Sequence, residues 1–263
     1  MNKLLDVNNV SISFIQYTKG LKQQNLKVIT DLTLDIEEGE ILAVLGSSGS
    51  GKSLLAHAIL GILPDNADLN GEIKYNGNVL NQKAKEEIRG KEISLIPQSV
   101  NFLDPLMKIA DQVIGECETE EECREKQIKQ RKIFEKYGLS EDVDNMYPFQ
   151  LSGGMARRVL ISTALLSNPK LIIADEPTPG LDQKSVKETL DYLKQMADDN
   201  VGVLLITHDI YAALEVANRI CIFYSGFVIE IVDTKDFKEG KNLLHPYTCL
   251  LYTSPSPRDR SLS

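Results

Sequence analysis

At 263 residues the chain is long enough for one large α/β domain with a helical insert and too short for two full domains. Its 42% hydrophobic and 25% charged residues are those of an ordinary globular protein, which excludes a disordered chain. A formal charge of -9 with no basic stripe argues against a nucleic-acid partner, whose binding rests on neutralising phosphates.

The apolar runs at 54–63 and 201–206 are shorter than the roughly 18 to 20 residues a membrane-spanning helix needs. The start, MNKLLDVNNV, lacks the long apolar stretch of a secretory signal, so the chain is expected to remain in the cytoplasm. No CxxC or Cys/His pattern occurs among the cysteines. Cys117 and Cys123 in an acidic helical stretch, and Cys221 in an apolar strand, are therefore expected as unpaired thiols.

Residues 4–14 and 28–37 read as two strands joined by a polar segment around Gly20, and 40–45 as a short buried strand. A glycine-serine cluster follows, and residues 53–63 have helical composition until Pro64. Asn76 and Gly77 mark a tight hairpin between 71–75 and 79–80. From about 104 to 147 the chain is charged and free of strand patterning, which predicts a helical insert. Alternation then resumes: helix 154–166, strand 170–174, helix 185–197, strand 202–207, helix 211–217, and strands 220–224 and 227–231. Strands alternating with helices predict a largely parallel sheet covered on both faces.

The cluster at 46–53, GSSGSGKS, fits G-x-x-x-x-G-K-[ST] in full. Gly46, Ser47, Ser48, Gly49, Ser50 and Gly51 can curl so that successive N–H groups face phosphate oxygens, with the positive end of the next helix behind them. Lys52 would reach the β- and γ-phosphates, and the Ser53 hydroxyl would ligate Mg²⁺. Asp175 and Glu176 end an apolar strand, LIIADE, at the sheet edge where open α/β sheets bind ligands. Asp175 would hold Mg²⁺ through water, and Glu176 would activate the attacking water.

Leu151, Ser152, Gly153 and Gly154, placed before the Asp-Glu strand, resemble the signature motif of ABC ATPases. Ser152 can cap the following helix, and the glycines admit phosphate to its positive end. The resemblance covers residues 4–248. It implies a P-loop NTPase core with a mainly parallel sheet, an N-terminal antiparallel β subdomain and a helical subdomain at about 99–147. In the family the signature element contacts ATP held by the opposite subunit. Gln98 in SLIPQS resembles the glutamine that senses Mg²⁺ and nucleotide, and Asp182 in PGLD lies where the family joins its two subunits. His208 in LLITHD resembles the switch histidine beside the γ-phosphate. Phe14 is the candidate for the aromatic stacked on adenine, with Tyr17 in competition.

Met155 after LSGG, the stretch NFLDPLMK at 101–108 and HPYT at 245–248 resemble the ATPases of peptide and nickel importers. That resemblance implies a second, paralogous ABC ATPase, two transmembrane permease subunits, and an extracellular binding protein acting indirectly. It places the chain on the cytoplasmic face of the membrane. The same nucleotide motifs would serve an exporter, and a soluble ABC ATPase acting on ribosomes or DNA is the more distant alternative. Residues 249–259, CLLYTSPSPRD, match the translation of a sequencing adapter, so 249–263 are expected to be a disordered artefact.

Overall fold

The computed structural model describes residues 3–17, 23–47 and 49–253. The chain opens with β1 (Lys3–Tyr17) and β2 (Gln23–Glu37), paired antiparallel. On β2, Leu32, Leu34 and Ile36 are buried while Asp31 and Thr33 face outward, the period-two pattern of a strand with one apolar side. Next, β3 (Ile41–Leu45) is buried at every residue, as a strand inside a covered parallel sheet must be. After the glycine-serine loop comes α1 (Lys52–Leu60), which ends on Gly61 in the left-handed conformation. A hairpin of β4 (Ala67–Tyr75) and β5 (Asn78–Val79) turns on Asn76 and Gly77, both with positive φ.

Elements outside the sequence expectations include α2 (Gln82–Ile88) and β6 (Ile93–Ile96). The first offers the core only Ala84 and Ile88 beside a buried Lys85, and the second is too short to display a period.

The expected helical insert is present as α3 (Ile109–Ile114) and α4 (Glu120–Lys136), with short 3₁₀ turns after them. It packs on α5 (Gly153–Leu165) through a separate apolar cluster that includes Ile109, Val113, Phe134, Val143, Val159 and Leu160. Cys117 and Cys123 form a disulfide with their Cα atoms 5.5 Å apart, which corrects the expectation of unpaired thiols. The reason is local: Thr119 caps α4 by accepting the Glu122 N–H, folding residues 117–119 back against the first turn. Cys221 and Cys249 form no disulfide. Titration of the unfolded chain with a thiol reagent should therefore count two thiols before reduction and, with all four cysteines released, four after it. Four thiols before reduction would contradict the pairing.

The remaining elements are β7 (Leu171–Asp175), α6 (Gln183–Asp198), β8 (Gly202–Thr207), α7 (Ile210–Val216), β9 (Arg219–Tyr224), β10 (Phe227–Asp233), α8 (Thr234–Glu239) and α9 (Pro246–Thr253). They build a six-stranded sheet in the order β10-β9-β3-β8-β7-β6, parallel except for the β9–β10 pair. A four-stranded antiparallel sheet, β2-β1-β4-β5, covers one face. Along β7 the side chains divide between the two layers: Leu171 and Ile173 join the cluster under the antiparallel sheet, and Ile172 and Ala174 the cluster under α6 and α7. This is the α/β core, antiparallel subdomain and helical insert expected from the motifs.

Helix α9 continues through residues 249–253, so this part of the tail is helical rather than disordered. Its start is held by Glu230, which accepts the N–H groups of Leu244 (2.8 Å) and His245 (3.2 Å), and by His245 Nδ1, which accepts the Tyr247 N–H. Residues 254–263 lie outside the described residues. Among the described residues no helix is long and apolar enough to cross a membrane.

Candidate functional site

The loop between β3 and α1 is shaped by what surrounds it. A Cβ on Gly46 would stand 2.4 Å from the Phe223 carbonyl oxygen, so only glycine fits beneath the end of β9. Gly51 takes φ 103° at the start of α1, and a Cβ there would lie 3.0 Å from Val28 Cγ1 on β2. Val28 also touches the β9–β10 turn, since a Cβ on Gly226 would be 2.3 Å from the Val28 carbonyl oxygen. Inside the loop, Lys52 is 5% exposed and its Nζ donates to the carbonyls of Gly46 (2.9 Å) and Ser47 (2.8 Å). The loop thus wraps its own ammonium. Gly49 takes φ 76°, and Ser48 lies outside the described residues.

At the carboxyl end of β7, Asp175 pairs with Ile206 and the next residue turns sharply. Glu176 has φ 43°, in the left-handed region that side-chain-bearing residues seldom occupy, while its N–H still donates to the Ile206 carbonyl at 2.8 Å. Three side chains converge on its carboxylate. Lys52 Nζ lies 3.8 Å from Oε1. Gln98 donates through Nε2 to Oε2 at 3.2 Å, and His208 Nδ1 is 3.2 Å from the same oxygen. The partners come from α1, the exit of β6 and the exit of β8, so the cluster exists only when the sheet order is right.

Asp175 is buried beside this cluster, and its Oδ1 has no hydrogen-bond partner. Burial pushes the Asp175 carboxyl above the usual carboxylate range, against the Ser53 hydroxyl, which pulls it down. Burial likewise lowers the Lys52 ammonium, opposed by Glu176 and Asp175.

The other expected residues form a second group. Ser152 accepts the Met155 N–H at 3.2 Å and caps α5, whose first residues are Gly153 and Gly154. Nothing lies within 4 Å of a Cβ built on Gly153, whereas one on Gly154 would be 3.0 Å from Ser185 Oγ. Ser185 donates to Asp182, which in turn caps α6 by accepting the N–H groups of Lys184 and Ser185. No hydrogen bond or ion pair among the described residues joins this group to Lys52 or Glu176. Phe14 is half-buried against the core, paired with Leu26 on β2 and Ala67 on β4, and no described contact brings it to the loop. The Tyr17 side chain lies outside the described residues.

Arg157 on α5 went unnoticed in the sequence. It is 2% exposed and donates to the carbonyls of Pro97 (2.6 Å) and Gln98 (2.8 Å). The available signal was its helical register: it continues the stripe of Ile161 and Ala164, both buried, so the pattern itself puts a charge in the interior.

The family described as ABC transporter matches residues 29–179. The oligopeptide transport ATP-binding protein AppD of Bacillus subtilis is 35% identical over 97% of this chain and 79% of its own length. The dipeptide transport ATP-binding protein DppD of Haemophilus influenzae is 33% identical over 95% and 77%. Among solved structures, the dimeric bacterial ABC transporter cassette MJ0796 superposes with a TM-score of 0.73 at 28% identity, over 88% of this chain and 98% of that one. Its post-hydrolysis state bound to ADP and Pi gives 0.72. A phosphate loop closed on its own lysine, a carboxylate gripped by three side chains, and a capped double-glycine helix start set apart from both agree with these matches: the chain belongs to the ABC transporter family and is one of its ATP-hydrolysing subunits.

Proposed function

We propose that this chain energises a peptide importer, hydrolysing ATP as one half of a pair with a second, related ABC ATPase. The observation that carries the enzymatic part is the convergence of Lys52, Gln98 and His208 on Glu176. The choice of peptides rests on relatives named for oligopeptide and dipeptide transport.

In this reading the N–H groups of residues 46–51 and the start of α1 receive the ATP phosphates. Lys52 exchanges the carbonyls of Gly46 and Ser47 for the β- and γ-phosphates. Glu176 accepts a proton from the attacking water. Gln98 and His208, both on Oε2, fix the direction of the carboxylate. Asp175 Oδ1, buried without a partner, together with the Ser53 hydroxyl and the Gln98 amide oxygen, makes the oxygen donor set that Mg²⁺ takes. When bound with ATP, Mg²⁺ supplies neutralisation of the β- and γ-phosphate charge.

Ser152, Gly153, Gly154 and Asp182 face a second chain's ATP: the helix start is open at Gly153 and, among the described residues, has no hydrogen bond or ion pair to this chain's own Lys52 or Glu176. Phe14, half-exposed on β1, stacks on adenine. Between β6, the insert and α5 runs a groove of about 440 Å³ lined by Ile62, Leu95, Phe102, Leu103 and Leu160, with Phe102 70% exposed. An apolar groove of this kind suits a cytoplasmic loop of either of two permease subunits, with the chain at the inner membrane face and an extracellular binding protein delivering cargo.

Tagged in its own cells, the chain should co-purify with two membrane subunits and a second ABC ATPase. The complex reconstituted in vesicles should hydrolyse ATP faster when a peptide-loaded binding protein is added. Recovery with ribosomes or DNA, or stimulation by nickel chelates and not by peptides, would overturn the assignment.

A further inference from the structure

Arg157 is a charge held in the interior at an energetic cost. Its guanidinium is buried, no carboxylate pairs with it among the described residues, and its Nε has no hydrogen-bond partner. Burial lowers its affinity for a proton without an opposing anion. An apolar side chain of similar volume would fill the same space at less cost. What the guanidinium does have is two carbonyl acceptors on consecutive residues, Pro97 and Gln98. These lie just beyond the last β6–β7 pair, Ile96 with Ala174, where the edge strand leaves the ladder. One turn of α5 separates Arg157 from Gly153, and Gln98 is the residue that donates to Glu176.

We propose that Arg157 is a positioning residue: it clamps the backbone of Pro97 and Gln98 to α5, so that the exposed start of that helix and the carboxylate of Glu176 move as one linked unit. The proposal deepens the functional reading and rests on Glu176 acting as the base. A planar fork with several donors suits this task, because two parallel bonds fix orientation as well as distance. Displacing the Gln98 backbone by about 1 Å is enough to cost on the order of 10²-fold in rate when the residue orients a reacting group. Contact with a second chain at Gly153 would then be felt one turn along the helix, and the link is a set of discrete bonds rather than mere proximity.

The test is a double-mutant cycle in the assembled transporter, with turnover, ATP affinity and thermal midpoint measured for each form. Arg157→Met keeps the volume and removes the donors; it should lower kcat by about 10- to 10²-fold while ATP affinity stays within about twofold and the midpoint holds. Arg157→Lys, which retains donors, should recover much of the rate. Gln98→Ala should be slow by itself, and adding Arg157→Met should make it little slower, since both act through the same contact. An undiminished loss in the Gln98→Ala background, or normal turnover of Arg157→Met, overturns the proposal. So does a fall in midpoint that accounts for the whole rate loss. Glu176→Gln separates the two readings: if it turns over normally, the base assignment fails and takes the link from Arg157 to that carboxylate with it, whatever the cycle shows. If it stalls while the cycle is additive, the clamp alone fails.

Discussion

Glu176→Gln should slow ATP hydrolysis by roughly 10²- to 10⁴-fold, the usual worth of a general base, while ATP still binds. The substitution isolates the chemistry because almost everything else is preserved. Glutamine has the same length, the amide oxygen can accept from Gln98 as the carboxylate does, and the left-handed backbone at φ 43° constrains the two side chains alike. The lost charge also lies 3.8 Å from Lys52, so the lysine becomes freer to meet phosphate and affinity should hold or rise. Single-turnover hydrolysis measured beside equilibrium ATP binding in the full complex separates the two effects. Bound, unhydrolysed ATP should hold the paired subunits closed, and a normal hydrolysis rate would remove Glu176 as the base.

Lys52→Ala acts on the other half of the problem and should weaken ATP binding by at least about 10²-fold, since charge-assisted contacts contribute roughly 1.5–3 kcal/mol each. Three losses combine. The phosphates lose an ammonium, the Gly46 and Ser47 carbonyls lose the donor that keeps the loop curved, and Asp175 and Glu176 are left unopposed beside an anionic substrate. The side chain is almost wholly buried, so alanine also leaves a void and the stability of the variant should be measured alongside. An equilibrium titration showing undiminished affinity would refute the phosphate cradle.

The parts of this site that could be read from the sequence are those whose chemistry is contiguous. Residues 46–53 carry glycines, lysine and serine in one loop, and LIIADE sets two carboxylates at the end of one buried strand. Strand β8, 202–207, was legible to the residue because its apolar run is bounded by a glycine and a polar exit. Gln98 and His208 could be ordered along the chain by resemblance, but their meeting on one oxygen of Glu176 depends on β6, β7 and β8 lying side by side.

What escaped the sequence was tertiary in origin. Helix α2 buries a lysine between just two apolar residues, Ala84 and Ile88, and β6 spans only Ile93–Ile96. Cys117 and Cys123 are brought together by the cap at Thr119 rather than by any recognisable cysteine spacing. Arg157 looks like one more charge in a basic pair until its helical register is drawn. Phe14 illustrates the opposite limit: an aromatic in a first strand fits both the core and a ligand, and here it is only partly buried against the core.

Val28 touches Gly51 at the end of the phosphate loop and Gly226 in the β9–β10 turn, while Phe223 roofs Gly46 from the same region. The rear wall of the loop is therefore assembled from segments almost two hundred positions apart in the chain. Damage to nucleotide binding should follow this spatial neighbourhood: a side chain added at Gly226, in a turn carrying no motif, presses on the same wall as one added inside the loop. A map of tolerated changes in this protein would show a sensitive patch at 223–226 whose cause lies across the sheet, beside Lys52.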